Sequence, residues 1–419
     1  MSKPEPVGAN WAGTYQYQAR GVISVSSKEE LSELVSEGRQ VRALGSRHSF
    51  NDVADTLGLL VELGALKGQP IIDQERRRVT VPSSMTYGAV GEFLESRGWA
   101  LHNLGSLPHI SGAGACATGT HGSGTTNQSL AAAVCGIELI TGRGRLVHLD
   151  EDDPRFHGAV VALGALGIVT SLTLRMEPTF EMRQDVFVDM PWSERGKLDE
   201  IMSSAYSVSL FTRWQGAIDL VWTKSRCVEG GLLPTMPFRG ATAATRPMSP
   251  TGDDHENTTV QCGVSGPWNK RLPHFRFDKF PSHGDEIQSE YFVARENGLA
   301  ALSALEQICE KFLPHLIISE LRYVAADKLW LSPAYERDSL AIHFTWKNHP
   351  EEVRDLLGLI EDTLKAFDGR PHWGKWFMME ATQIATLYQR LPDFFSLVNE
   401  FDPNGQFINP YLHRVLFDN

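Results

Sequence analysis

Short apolar runs alternate with amphipathic stretches from residue 20 to about residue 180. Val22–Val25, Val41–Leu44, Leu59–Leu63 and Val79–Val81 have the length and β-branched content of strands. Between the first two, Leu31, Leu34 and Val35 recur at the spacing of one helical face, and Ser27 with Glu30 reads as a capping box. Thr86–Arg97 reads as a second helix, with Val90, Phe93 and Leu94 on one side. This strand–helix rhythm predicts a mixed α/β region, closed by β-rich runs at Gly136–Leu149 and Leu166–Met176.

From about Phe180 the pattern changes. Asp185–Met190, Ser207–Thr212 and Leu220–Thr223 alternate as strands of an antiparallel sheet. Residues 229–270, rich in Gly, Pro, Thr and Ser, read as a long irregular excursion. A helix is expected over Glu296–Leu313, where Ala301, Leu302, Leu305, Ile308 and Phe312 are apolar. Strands at Leu316–Val324 and Leu340–Lys347 flank the breaker Ser332-Pro333, a helix follows at Pro350–Ala366, and Asp402-Pro-Asn-Gly405 is a strong turn.

Two loops carry the candidate chemistry. In the first, the strand Val41–Leu44 runs into Gly45-Ser46, and His48 follows at once. A tight turn that sets one imidazole beside free amides suits a phosphorylated cofactor, and the histidine could bond to it. In the second, six of the residues from Gly105 to Gly124 are glycine. Glycine allows close backbone approach, so successive amides can converge on pyrophosphate oxygens, with Ser111, Thr118, Thr120 and Ser123 adding hydroxyls. Neither the P-loop nor the G-x-G-x-x-G pattern is present. His48, His102, His109 and His121 raise a metal-dependent hydrolase as an alternative, but they lack ligand spacing and a fixed acidic partner, so no metal is expected.

Composition narrows the partners. With 39 Lys and Arg against 51 Asp and Glu, the formal charge is −12, which disfavours nucleic acid and anionic membrane surfaces. Apolar residues make up 42%, enough for real cores. Five scattered cysteines fit reduced thiols, and neither a signal core nor a membrane-length apolar run is seen. A soluble cytoplasmic protein is expected, with a monomer consistent with the sequence.

Taken together, Gly45-Ser-Arg-His-Ser49, the Ser106–Gly124 loop and His372-Trp-Gly-Lys375 stand in the order found in the aldonolactone and alditol oxidases. The chain resembles these flavoproteins of the vanillyl-alcohol oxidase superfamily from Asn10-Trp-Ala-Gly13 to Asn409, and the alditol oxidases among them most. The resemblance implies a two-domain α+β fold: an FAD-binding domain (1–179), a substrate cap with an antiparallel sheet (180–375), and a C-terminal segment (376–419) that returns to the first. It implies that His48 bonds covalently to the 8α-methyl of FAD. Gly45, Ser46, Arg47 and Ser49 would shape the turn around the pyrophosphate. Ser111, Gly114, Thr118, Gly119, Thr120 and His121 would line the diphosphate and flavin, with Ser106 beside them. Ile168 would hold the adenine side through its backbone, and His372 would contact the isoalloxazine. Several relatives have glycine where this chain has Arg47.

On the substrate side, Glu320 and Arg322 share one face of a strand, as do His343 and Thr345. Such a surface can satisfy several hydroxyls. By resemblance Ser106, Glu320, Arg322, Thr345 and Lys375 surround the substrate. The expected activity is oxidation of the C1 hydroxyl of alditols such as xylitol and sorbitol to the aldose, with hydride passing to flavin N5 and O2 reduced to H2O2. Lys375 and Arg322 would favour alkoxide character, and Lys375 or His343 would receive the proton. Gly105, a small residue at the flavin's reactive edge by the same resemblance, would leave a path for oxygen. An aldonolactone oxidase or dehydrogenase is the alternative within the family, and a non-catalytic flavin binder is one outside it.

Overall fold

A computed structural model of the chain describes residues 6–66, 68–227, 238–252, 255–279 and 284–418. Strands β1 (Val22–Ser24), β2 (Val41–Leu44) and β3 (Leu59–Glu62) form a parallel sheet in the order β1-β3-β2. Parallel strands need a crossover, and helix α1 (Lys28–Ser36) supplies it between β1 and β2. Ser27 caps α1 by accepting from the Glu30 amide at 3.1 Å. The Glu30 carboxylate reaches one residue beyond a capping box, to the Ser26 amide at 2.8 Å. Leu31, Leu34 and Val35 are buried in one cluster with Val41, Val61 and Ile168.

Beyond β3 the rhythm that reads as α/β becomes antiparallel. Strands β4 (Ile71–Asp73), β5 (Arg78–Pro82), β6 (Val134–Ile140), β7 (Leu146–Asp150) and β8 (Ile168–Arg175) form a sheet in the order β4-β5-β8-β6-β7. The physical reason is connection length: residues 141–145, closed by Thr141 N to Arg145 O at 3.0 Å, can only join antiparallel neighbours. Helix α2 (Tyr87–Glu95) starts at the Thr86 cap, and α3 (Gly112–Ala117) lies within the glycine-rich stretch.

The largest sheet is antiparallel throughout. Strands β9 (Glu181–Pro191), β10 (Ser207–Thr212), β11 (Ala217–Arg226), β12 (Glu286–Ala294), β13 (Leu316–Val324) and β14 (Ser339–Lys347) run in the order β9-β11-β10-β13-β14-β12. Two-residue strands finish its edges, with Thr242–Ala243 and Gly266–Pro267 on β9 and Arg370–Pro371 on β12. Leu321, Ile342, Phe344 and Trp346 on one face share a core with Leu302, Leu305, Phe312 and Val353 of the covering helices. The opposite face carries Glu320, Arg322, His343 and Thr345.

The expected helix at 296–313 is divided into Gly298–Glu306 and Cys309–Phe312. The amides of Gln307 and Ile308 take carbonyls three residues back, which tightens the chain and ends the first helix. The helix expected at 350–366 spans Pro350–Leu364 and continues as a 3₁₀ turn. Within the irregular excursion at 229–270, residues 229–237, 253 and 254 lie outside the described residues. The remainder has only two short strands and two single 3₁₀ turns.

Two helices near the C-terminus, Ala381–Leu387 and Leu391–Phe401, were not expected. After them Gly405 turns with φ 65°, and the chain returns to β2, where the Val41 amide donates to Gln406 O at 3.1 Å. Asn409 Nδ2 donates to Asp55 O at 2.7 Å, and Arg42 donates to Phe407 O at 2.5 Å. All five cysteines are free thiols. Among the described residues no helix is long and apolar enough to cross a membrane.

Candidate active site

A cavity of about 560 Å³ runs between the three sheets, a size typical of small-molecule and cofactor sites. One wall is made by the loop after β2, by α3 with the residues around it, and by the start of β8. The other is the polar face of β12, β13 and β14.

The loop after β2 is held from both sides. Arg47 takes φ 61°, a left-handed backbone that favours glycine and accounts for the glycine of relatives. Its guanidinium turns away to the Val7 carbonyl and to Glu62 at 3.2 Å, so the side chain anchors the N-terminal segment. Ser46 Oγ accepts from the Ser111 amide at 3.1 Å, which joins this loop to the second one. The contact is close: a Cβ at Gly45 would lie 2.7 Å from Ser111 Oγ, and one at Gly114 would lie 2.8 Å from it.

His48 is packed against Trp11, with ring centroids 5.1 Å apart and planes inclined by 14°. Its Nδ1 lies 2.7 Å from Ser46 O. A carbonyl only accepts, so Nδ1 carries the hydrogen and Nε2 carries the lone pair. Burial lowers the imidazole pKa to about 4, partly offset by that hydrogen bond, so the ring is neutral at ordinary pH. Nε2 is buried and has no hydrogen-bond partner among the described residues. The result is a neutral, oriented nitrogen nucleophile at the cavity wall.

Around α3, not every amide points into the cavity. Those of Ser111, Gly112 and Ala113 are taken by Ser46 Oγ, Met85 O and Ser83 O, so the convergence of successive amides expected here excludes these three. Thr118 Oγ1 donates back to Gly114 O at 3.1 Å. Gly119 does not line the cavity; with φ 70° it is the left-handed turn that ends the helix. Ile168 does not line it either. Gly167 and Val169 do, and strand alternation sends the Ile168 side chain into the core beside Ile140. Ser123, expected to add a hydroxyl here, also lies off the cavity, because its buried hydroxyl donates to Val208 O; the other residues expected to hold cofactor or substrate border it. Gly105 lies beside it, and a Cβ there would make ordinary contact with Thr120 Cγ2 at 3.5 Å.

The facing sheet presents ordered rows. Glu320, His343 and Glu290 are cross-strand partners on β13, β14 and β12, and Ile318, Thr345 and Gln288 form the next row. Arg322 Nη2 donates to Glu290 Oε1 at 2.7 Å, and Nη1 donates to Ser106 Oγ at 3.3 Å. Burial opposes ionisation of both carboxyls. The Arg322 guanidinium overcomes it, helped by His121 at Glu290 and His274 at Glu320, and holds both well below the usual carboxylate range.

The segment His372–Lys375 ties the two walls together. The His372 amide donates to Glu290 O at 2.9 Å, and the Phe50 amide donates to Gly374 O at 2.8 Å. Asn51 Nδ2 donates to Lys375 O at 2.7 Å. His372 Nδ1 accepts from the Gly374 amide at 3.0 Å, leaving Nε2 as the protonated nitrogen of a ring that burial holds neutral, with a pKa of about 3. Gln288 orders the end of the cavity. Its Nε2 donates to Glu286 at 2.5 Å, and its Oε1 accepts from His343 Nε2 at 3.2 Å and from Lys375 Nζ. Burial lowers Lys375 to about 8, and burial together with Lys375 lowers His343 to about 3.

Sequence reasoning missed Glu290, Gln288 and Glu286. Their signal was the same alternation that marks Glu320 with Arg322, in Glu286-Ile-Gln-Ser-Glu290. It also missed the buried Lys224 and His274. Of the four histidines weighed as metal ligands, His121 alone falls in a metal-compatible group among the described residues, with Glu290 and His372. His121 and Glu290 of that group are already engaged with each other and with their neighbours. His121 Nδ1 faces Gly122 O at 2.7 Å, its Nε2 faces Glu290 at 3.1 Å, and Arg322 shares the same carboxylate.

The site suits a flavin dinucleotide. It offers the unpartnered His48 nitrogen, hydroxyl-bearing loops that approach closely at Gly45 and Gly114 around the Ser111 hydroxyl, and a cavity that reaches the polar sheet.

Comparison with known proteins gives the same picture. Residues 19–150 match the FAD binding domain family, and residues 282–415 match the D-arabinono-1,4-lactone oxidase family. The chain is 43% identical to the alditol oxidase of a Streptomyces species, covering 97% of this chain and 98% of that protein. It is 28% identical to the L-gulono-1,4-lactone dehydrogenase of Mycobacterium tuberculosis, over 98% of this chain and 99% of that one. In fold it is similar to cholesterol oxidase from B. sterolicum, with a TM-score of 0.79 at 14% identity, covering 98% of this chain and 97% of that one.

Proposed function

Because the chain belongs to the alditol oxidase family of FAD-dependent oxidoreductases, which oxidise alcohols, we propose that its substrate is an open-chain polyol such as xylitol or sorbitol. The terminal C1 hydroxyl becomes the aldehyde of the aldose, and dioxygen is reduced to hydrogen peroxide.

One observation carries this reading. The cavity bordered by the His48 and Ser111 loops opens directly onto a sheet face that alternates hydrogen-bond acceptors and donors. The ionised Glu320, the Arg322 guanidinium, the hydroxyls of Ser106 and Thr345, and Lys375 all border it. A chain of hydroxyls, each both donor and acceptor, can be satisfied group by group on such a surface.

FAD, when bound, supplies the two-electron acceptor and the means of reducing dioxygen. We assign His48 as its covalent tether, through Nε2, because Nδ1 is committed to the Ser46 carbonyl. Ser46, Ser49, Ser111, Gly114, Thr118 and Thr120 border the remainder of the cofactor cavity. Oxidation of the alcohol also requires that its hydroxyl proton be received. Lys375, lowered to about 8, is matched to that task, whereas His343 at about 3 is a far weaker base. Arg322 stays charged and favours alkoxide character at the reacting oxygen. Gln288 fixes the Lys375 amine, and Glu320, Ser106 and Thr345 orient the hydroxyls that do not react.

A second reading, oxidation of an aldonolactone, is supported by the lactone oxidase match over residues 282–415, which contains Glu290, Glu320, Arg322, His343, Thr345 and Lys375. A peroxide-coupled screen of xylitol, sorbitol, mannitol and glycerol against sugar lactones separates the two. Peroxide formed with polyols is the expected result. Peroxide formed with lactones alone would install the second reading.

A further inference from the structure

Lys224 on β11 is 1% exposed and has no carboxylate in hydrogen-bond contact. Burying an ammonium without a partner acid is costly, and a methionine would fill the space without that cost. Its three hydrogens instead meet three acceptors, Leu272 O at 2.5 Å, Pro273 O at 2.9 Å and His274 Nδ1 at 3.1 Å. The third contact has a consequence. A ring nitrogen that accepts from an ammonium carries no hydrogen, so the hydrogen of the neutral ring sits on Nε2. His274 Nε2 lies 2.7 Å from Glu320 Oε1.

We propose that Lys224 and His274 are positioning residues that set Glu320 for polyol binding, Lys224 by fixing the His274 tautomer and His274 by holding Glu320 Oε1. His274 donates to Oε1 and the Arg322 Nε lies in ion-pair range of the same oxygen at 3.5 Å, so among the described residues both contacts fall on Oε1 and Oε2 is left for a substrate hydroxyl. The same strap sets a second polar group of the cavity, because the amides of His274 and Phe275 donate to Ser106 O at 3.1 and 3.2 Å. Thr259 in turn ties the strap down, its amide donating to His274 O at 2.9 Å and its hydroxyl to Pro273 O at 2.8 Å. This inference rests on the polyol reading and adds to it a buried lysine and a cavity-lining histidine that act through Glu320.

The relay is sensitive to pH. Facing the Lys224 ammonium are His274 from the strap and Glu320 and Arg322 from β13, while its cross-strand neighbours Gln184 and Ser207 are uncharged. Burial lowers Lys224 to about 7. The charged form is therefore present below that pH and lost above it. A neutral amine has two hydrogens for these three acceptors, so its hold on His274 Nδ1 weakens. Polyol affinity should accordingly weaken as pH rises past 7.

The test uses the flavin-loaded protein and the variants Lys224→Met, His274→Phe and His274→Gln, with xylitol and sorbitol as probes. Lys224→Met and His274→Phe should raise KM about tenfold, the loss of one hydrogen bond to a charged group, with the limiting rate changed much less. Lys224→Met should also abolish the alkaline rise in KM. His274→Gln keeps a donor toward Oε1 and should recover most of the affinity. Independently of turnover, ¹⁵N-histidine spectra should show His274 protonated at Nε2 in the parent, with its Nδ1 resonance shifted when Lys224→Met removes the ammonium donor. Unchanged KM with an unchanged His274 Nδ1 resonance in a folded Lys224→Met protein would overturn the proposal. A parent protein inert to polyols overturns the substrate reading, so the two failures are distinguishable.

Discussion

Lys375 and His343 meet at one acceptor, Gln288 Oε1, yet burial leaves them very different as bases. Lys375 loses its proton near pH 8, within reach of turnover, whereas His343 is already neutral and only weakly basic, at about 3. The limiting rate of polyol oxidation should therefore rise with pH through about 8, because the neutral amine is the form that receives the proton. Lys375→Met should remove that rise and slow flavin bleaching by roughly 10²-fold or more, the usual scale of a lost general base. Stopped-flow bleaching of the variant at near-parent rates would move the role elsewhere. At this scale the sequence revealed those residues whose spacing advertises a shared strand face, Glu320 with Arg322 and His343 with Thr345. Lys224 and His274 were hidden because their meaning lies in a contact between a strand and a distant strap.

At the scale of elements, the cofactor wall depends on two loops that approach through Ser111. A Cβ at Gly45 would stand 2.7 Å from Ser111 Oγ, so Gly45→Ala must displace that hydroxyl or the loop that carries it. We expect Gly45→Ala to lower FAD content and thermal stability, and Ser111→Ala placed on top of it to restore much of both. Additive losses in the double variant would show that the clash is not with that hydroxyl. Strands and their faces were readable from alternation, since a period of two survives whatever the topology. Whether a strand returned parallel or antiparallel was not, because that depends on connections such as residues 141–145. The helix Leu391–Phe401 was legible in principle, with Leu391, Phe394, Leu397, Val398 and Phe401 all buried at helical spacing. The division of 296–313 at Gln307 had no such signal.

Over the described residues, five histidines are held neutral by burial: His48, His102 and His274 at about 4, His343 and His372 at about 3. Each has a folded pKa below the roughly 6.5 of an unfolded histidine, so the unfolded chain binds more protons between those values. Stability should therefore fall as pH drops below about 6.5, each of these histidines adding close to one proton of uptake on unfolding near pH 5, offset in part by Glu361, which burial raises to about 7. Denaturant titrations at several pH values measure that slope, and a stability unchanged between pH 5 and 7 would contradict the buried, neutral assignment. The wider fold brings these histidines together with the carboxylates by docking the polar face of one sheet against the loops of another. No local pattern in the chain encodes that docking.

Anaerobic mixing is the decisive measurement of whether this cavity couples a flavin to a polyol. The purified yellow protein should keep its colour after acid precipitation under the proposed His48 tether, and should lose its visible absorbance when xylitol or sorbitol is added without oxygen. Colour that persists at high polyol concentration, in protein shown to be loaded with FAD, would contradict the account.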